Sequence, residues 1–112
     1  MVPKVIHWDP QLGRVSAEAV SRLLRSEGYV VSEYHYAQGT FFPLHRHEED
    51  KKDSVLSGRL RIAWEGGETV LAAGDMIEIP AGVSHSAEVV GAESVVSLDA
   101  TKAAESPDRA KR

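Results

Sequence analysis

The chain has 112 residues and a formal net charge of −4, with 42% hydrophobic and 27% charged residues. This length and composition predict one folded globular domain, because two domains of half the length would each be too small to bury a core. A mildly acidic chain lacks the positive surface that binds phosphate backbones, so we expect no nucleic-acid partner. The absence of cysteine excludes disulfides, thiolate catalysis and iron–sulfur clusters.

The N-terminal sequence and the distribution of apolar residues indicate where the protein works. No apolar run reaches the roughly 18 residues of a membrane span. Met1 to Pro10 contains charges and prolines where a secretory signal would be continuously apolar. We therefore expect no membrane partner and a cytoplasmic location.

Residues 1–28 are predicted to form a strand and one short helix that flank the rest of the domain. Val2–Trp8 is apolar enough to pair with another subunit, which predicts a homodimer through this strand. Ser16 can cap a helix that ends before Gly28. The apolar residues between them fall on one face at helical spacing: Ala17, Val20, Leu23 and Leu24.

Residues 29–100 are predicted to form an antiparallel sandwich or barrel, because short strands alternate with turn residues. The predicted strands are Tyr29–Tyr36, Val55–Leu56, Arg59–Glu65, Glu68–Ala72, Met76–Ile79, His85–Val90 and Ser94–Asp99. Gly66-Gly67 predicts a hairpin turn, and Glu48–Asp53 predicts a solvated bend. Residues 101–112 are polar and predict a tail.

Three of the five histidines lie in positions that suit a metal site. His45 and His47 are two residues apart, so on an extended strand they would share a face, about 6–7 Å apart, and could converge on one ion. His85 follows the turn residues Pro80-Ala-Gly82 and opens the next strand. His7 and His35 have no spacing relation to these three, which indicates structural or solvent-facing roles.

These two stretches resemble the motifs of the cupin family. The first cupin motif is glycine, five residues, His-x-His, three or four residues, glutamate, six residues and glycine; Gly39, His45, His47 and Gly58 match it. The second is glycine, five residues, Pro-x-Gly, two residues and histidine; Gly74, Pro80, Gly82 and His85 match it. The resemblance implies an all-β fold, a double-stranded β-helix or jelly roll, with the three histidines as ligands of one divalent metal ion.

The chain departs from the first motif at the fourth metal ligand. Where the family has glutamate this chain has Lys51 and Lys52, and a protonated lysine is a poor ligand that repels a dication. Three interpretations follow. The histidines bind the metal alone; a nearby acid, Asp50, Glu49 or Glu78, replaces the glutamate; or the site is metal-free, with Lys51 paired to an acid such as Glu78.

The resemblance implies a class of function without choosing one activity. Imidazole nitrogen suits Fe, Zn, Ni and Cu and does not exclude Mn, so the residues do not select the ion. Cupins of this kind are dioxygenases, isomerases or decarboxylases acting on small molecules, and others bind a small ligand or act as sensors without catalysis. We therefore expect a small-molecule partner, bound by either an enzyme or a non-catalytic binding protein.

Overall fold

The computed structural model describes residues 2–103, which form two antiparallel sheets and one α-helix. The strands of this part of the chain, in order, are β1 Lys4–His7, β2 Tyr29–Tyr36, β3 Phe41–His45, β4 Lys51–Ser57, β5 Arg59–Trp64, β6 Gly67–Leu71, β7 Asp75–Ile79, β8 His85–Val90 and β9 Val95–Lys102. The helix α1 spans Ala17–Ser26, and a short 3₁₀ turn spans Pro10–Leu12.

The two sheets face each other across an apolar core. One sheet has the strand order β1-β7-β4-β9-β2 and the other β3-β8-β5-β6. Residues of both sheets fill the space between them: Val55, Leu60, Ile62, Leu71, Ile77, Ile79, Ala87, Val89 and Val95. This arrangement confirms the prediction of an all-β double-stranded β-helix with one short N-terminal helix.

Helix α1 covers the outer face of the five-stranded sheet. The Ser16 hydroxyl accepts a hydrogen bond from the Ala19 amide at 3.0 Å, as a capping residue does, and Gly28 adopts a φ of +92° just beyond the helix. Val20 and Leu24 are fully buried against Leu98 and Ala100 of β9. The helix and its capping residue are therefore as predicted.

The N-terminal strand is part of the barrel. β1 pairs with β7 of its own chain, with Val5 opposite Ile77 and Ile6 opposite Met76. Val5 packs against the core between the sheets and Ile6 against the helix-side core. The apolar side chains that suggested a second subunit are thus used within this chain, and the homodimer stays a prediction.

Several predicted boundaries differ from the observed ones. The hairpin turn lies at Glu65-Gly66, one residue earlier than predicted, because Gly67 already pairs with Trp64. β9 continues to Lys102, so the first residues of the predicted tail belong to the sheet; residues 104–112 lie outside the described part. No helix within residues 2–103 is long and apolar enough to cross a membrane.

The largest correction concerns the predicted solvated bend at residues 48–53. Residues 51–53 begin β4, the central strand of the five-stranded sheet, and Lys51 and Lys52 are both buried. We predicted that these lysines would be exposed because they are charged. Each lysine has a carboxylate partner on a neighbouring element, which makes its burial possible.

Candidate metal centre

The three motif histidines meet at one end of the barrel. The possible ligand atoms of His45, His47 and His85 all lie within 4.8 Å of one another. The ring centroids are 4.9 Å apart for His45–His47, 4.4 Å for His45–His85 and 5.3 Å for His47–His85. Zn–N bonds of about 2.1 Å would set ligand atoms about 3.4 Å apart in a tetrahedral site, so small side-chain rotations suffice to close this cluster on an ion.

A register shift in β3 brings His45 to the cluster. Phe42 pairs with Ala87 and His45 pairs with His85, and the ladder is irregular between them. In a regular strand two residues three apart would point to opposite faces. The irregularity, which contains Pro43 on an edge strand, lets both Phe42 and His45 line the same cavity.

His47 reaches the cluster from a loop. The expectation that both histidines would share one strand is wrong, since β3 ends at His45. The His47 carbonyl oxygen accepts a hydrogen bond of 2.8 Å from the Gly82 amide. This bond fixes the loop against the Pro80-Ala-Gly82 turn, which in turn leads into His85.

The hydrogen bonds of two rings leave their other nitrogens free to bind metal. The Nδ1 atom of His45 lies 2.7 Å from the Pro43 carbonyl oxygen, and that of His85 lies 3.0 Å from the Val83 carbonyl oxygen. A carbonyl only accepts, so both Nδ1 atoms carry the proton and both Nε2 atoms present a lone pair. Metal-binding histidines are typically held by this kind of bond.

The surroundings of His47 and His85 favour the neutral form of both rings by lowering their pKa. Burial, followed by the positive charge of Lys51, lowers the pKa of His47 below 6.5. Burial also lowers the pKa of His85, against the opposing effect of its bond to Val83. Neutral imidazole is the form that binds a metal, so the donor set fits a divalent ion.

The histidines line a cavity of about 220 Å³ between the sheets. Its wall also contains Tyr36, Phe42, Asp53, Leu60, Ile62, Ala87, Ser97 and Asp99. This volume is below the roughly 300–1,000 Å³ of sites for drug-sized ligands, so the cavity fits a small molecule.

Of the two lysines at the end of the first motif, Lys51 faces the space between the sheets, and its partner differs from the predicted one. Its Nζ donates to Asp99 and, at 2.9 Å, to the Thr101 hydroxyl. The predicted pair with Glu78 is wrong. Glu78 pairs with Lys52 in the β4–β7 ladder and lies 3.8 Å from that lysine, on the helix side of the sheet, whereas Lys51 faces the space between the sheets.

The candidate replacement acids do not join the histidines. Glu49 is exposed. Asp50 is also exposed, and its Oδ1 accepts a hydrogen bond of 2.8 Å from the Ala81 amide, which ties the loop to the turn. His7 and His35 are exposed as well and pair with Asp75 and Glu33. Among residues 2–103 the cluster with metal-binding spacing therefore consists of histidines alone.

Two pocket carboxylates escaped the sequence analysis. Asp53 lay inside the predicted bend, and Asp99 lay at the end of an apolar strand. Both line the cavity together with the histidines. Asp53 is two residues from Lys51 on one strand, and Asp99 is a charge within the run Val95–Ala100; either feature could have indicated an inward-facing acid.

A family profile matches this chain over most of the barrel. The profile Cupin_2, described as a cupin domain, matches residues 32–101. The chain belongs to the cupin family. No curated protein sequence matches this cupin.

Solved structures show the same fold at low sequence identity. Acireductone dioxygenase from Bacillus anthracis, with a cadmium ion in its active centre, superposes with a TM-score of 0.69 at 19% identity, over 92% of this chain and 79% of its own. KdgF from Halomonas sp. has a TM-score of 0.59 at 18% identity, over 92% and 79%. A cupin protein from Bacteroides fragilis has a TM-score of 0.59 at 26% identity, over 70% and 69%.

Proposed function

We propose that this cupin binds one divalent metal ion through His45, His47 and His85 and uses it to bind and transform a small molecule in the cavity. The observation that carries the proposal is the geometry of the cluster: ligand atoms within 4.8 Å of one another, with two Nδ1 atoms already engaged by backbone carbonyls. The cadmium ion in the active centre of the Bacillus anthracis dioxygenase supports it by analogy of fold.

The protein supplies position and environment to this chemistry. A divalent ion held by three imidazoles would keep open positions for a substrate, water or dioxygen and act as a Lewis acid or redox centre there. Phe42, Leu60 and Ile62 line the same cavity and provide an apolar wall, which limits water around a bound molecule. From this arrangement we infer a dioxygenase acting on a small molecule as the enzyme class.

Non-catalytic binding is the second candidate function. Lys51 in place of the family's glutamate leaves the metal without an anionic side chain as a ligand. A metal held by neutral groups alone could bind an anionic small molecule without catalysing a reaction. Oxygen uptake by the Fe(II)-loaded protein with small enols or catechols separates the two functions, because a binding protein would take up the compound without consuming oxygen.

Metal content tests the proposed site. The purified protein, incubated with excess Zn(II) and desalted, should contain about one ion per chain, and the variant His45→Ala/His47→Ala should contain almost none. The matched control is His7→Ala/His35→Ala, which removes two exposed histidines outside the cluster and should keep the full content. Equal metal in both double variants would overturn the proposal.

A further inference from the structure

The inner wall of the cavity carries two carboxylates that the metal site does not explain, and a lysine lies directly beside them. Lys51 and Asp53 of β4 and Asp99 of β9 all face the space between the sheets. The Lys51 side chain is only 5% exposed and donates hydrogen bonds to Asp99 and Thr101. It thereby brings an ammonium group and two carboxylates together in a poorly solvated place.

The charges in this group do not balance when both acids are ionised. Lys51 contacts Asp99 directly, whereas its Nζ lies 3.9 Å from Oδ1 of Asp53. Asp53, with a side chain 17% exposed, accepts a hydrogen bond of 3.1 Å from the Ala100 amide at Oδ1, and no hydrogen bond to its Oδ2 is formed within residues 2–103. Burial and the charge of Asp99 raise the pKa of Asp53 to about 7.

None of the other groups described around Asp53 is available to accept a proton from a ligand near neutral pH, which leaves Asp53 as the acceptor. On β2 lies Tyr36, whose pKa is raised to about 12, so its phenol stays neutral. From β5 and β7 the inward residues are apolar: Leu60, Ile62, Ile77 and Ile79. From β3, β8 and the adjoining loop come the three histidines, which the proposed function assigns to the metal. Asp99 is already bound by Lys51.

We propose that Asp53 accepts the proton of a small hydroxylated ligand, of the vicinal diol, enediol or catechol class, as that ligand binds at the three-histidine site. The proposal rests on the function proposed above. In this step the ligand's O–H bond breaks, its proton goes to a carboxylate oxygen of Asp53, and the electron pair stays on the ligand oxygen. Lys51 and Asp99 act as positioning residues that set the charge around Asp53.

Charge and volume support this ligand class. Three neutral imidazoles leave both charges of a divalent ion uncompensated, and Lys51 stands where an anionic ligand would otherwise lie, so the site favours an anionic oxygen donor. At neutral pH a diol or catechol becomes such a donor only by losing a proton, which needs an acceptor nearby. A cavity of about 220 Å³ with an apolar wall fits one small ring or chain.

Proton counting tests the proposal without relying on turnover. The Zn(II)-loaded protein is titrated with catechol by calorimetry in two buffers of different ionisation enthalpy, which gives the number of protons released to the buffer. At pH 7.5 the parent should release about one proton fewer than Asp53→Asn, since Asp53 keeps it. At pH 6.5, where the histidines still hold the metal, most of Asp53 is already protonated, so the parent should release clearly more protons than at pH 7.5.

Two further variants complete the design. Glu88→Gln removes a carboxylate that pairs with Arg61 and does not line the cavity, and it should release protons as the parent does. Lys51→Met removes the cation beside Asp53, so the pH at which proton release changes should move upward.

The outcomes separate this inference from the proposed function. A parent that takes up no Zn(II) overturns both. A Zn(II)-loaded parent that does not bind catechol, or one whose proton release is the same at both pH values and in Asp53→Asn, overturns this inference and leaves the metal site standing. The parent's pH dependence decides the matter even if Asp53→Asn does not fold.

Discussion

At the scale of single residues, the site depends on where three imidazoles and one lysine point. Backbone carbonyls fix the proton on Nδ1 of His45 and His85, which the pattern His-x-His cannot show, because the acceptors come from local turns at Pro43 and Val83. The spacing predicted the three residues, and the folded backbone determines the tautomer of two of them.

Metal affinity should depend on pH through the histidines. Burial lowers the pKa of His47 and His85, so both stay neutral below the ordinary value of about 6.5. As pH falls, protons compete with the metal, and affinity should fall steeply only below about pH 6.5. Competition with a chromophoric chelator between pH 5 and 7.5 measures this, and a loss of affinity centred above pH 6.5 would contradict it.

Lys51 should weaken metal binding. In Lys51→Glu an anionic oxygen ligand faces the histidines, so the metal dissociation constant should fall tenfold or more. Without metal the same change places a third carboxylate beside Asp53 and Asp99, so the unfolding free energy of the apoprotein should decrease. Chelator competition and urea unfolding measure the two effects.

Lys51→Met is the matched control for that substitution. It removes the cation without adding a ligand, so its gain in metal affinity should be smaller than that of Lys51→Glu. Affinity in Lys51→Glu that equals or falls below the parent's would show that position 51 does not face the metal.

At the scale of elements, periodicity and turn residues predicted the helix and most strands. The prediction was wrong where charged residues are buried. Ser16 and Gly28 bracket α1 as expected, and the strand Tyr29–Tyr36 has the predicted bounds. The start of β4 was predicted wrongly, because the charges of Lys51, Lys52 and Asp53 are typical of a solvated bend. Their partners Asp99 and Glu27 are distant in sequence, so only the folded chain reveals that these charges are compensated.

The two glycines of the first motif should differ in their tolerance of a side chain. A Cβ at Gly58 would lie 2.3 Å from the Ser94 carbonyl oxygen, whereas a Cβ at Gly39 would meet nothing within 4 Å. Both have positive φ, of +79° and +77°, so alanine is strained at either by about 1–2 kcal/mol. Urea unfolding should show Gly58→Ala losing clearly more stability than Gly39→Ala, and equal losses would contradict the close approach of Gly58 to the Ser94 carbonyl.

At the scale of the whole molecule, the double-stranded β-helix followed from the two motifs, and the cavity contents did not. Which side chains face inward depends on strand register and on the irregularity in β3, and a shift of one residue reverses a face. Tyr36 and Phe42 line the cavity, whereas Met76 packs on the helix side. Strand register also places the Asp53 and Asp99 side chains in the cavity wall.

The predicted homodimer can be tested at the free edge of the five-stranded sheet. Val2 precedes the edge strand β1 and is 71% exposed, whereas Val30 lies on the opposite edge strand β2 and is 63% exposed. Light scattering should give twice the chain mass of 12.2 kDa for the parent and for Val30→Lys, and a shift toward monomer for Val2→Lys. A monomeric parent at micromolar concentration would contradict the prediction.

The proposed metal centre requires His45, His47 and His85 to hold one divalent ion through ring nitrogens. A crystal structure of the Zn(II)-loaded protein, with anomalous difference maps recorded on both sides of the zinc absorption edge, tests it most directly. We expect one strong peak per chain, about 2.1 Å from Nε2 of both His45 and His85 and from one ring nitrogen of His47. A peak held by other residues, or no peak at this cluster in Zn(II)-saturated crystals, would contradict it.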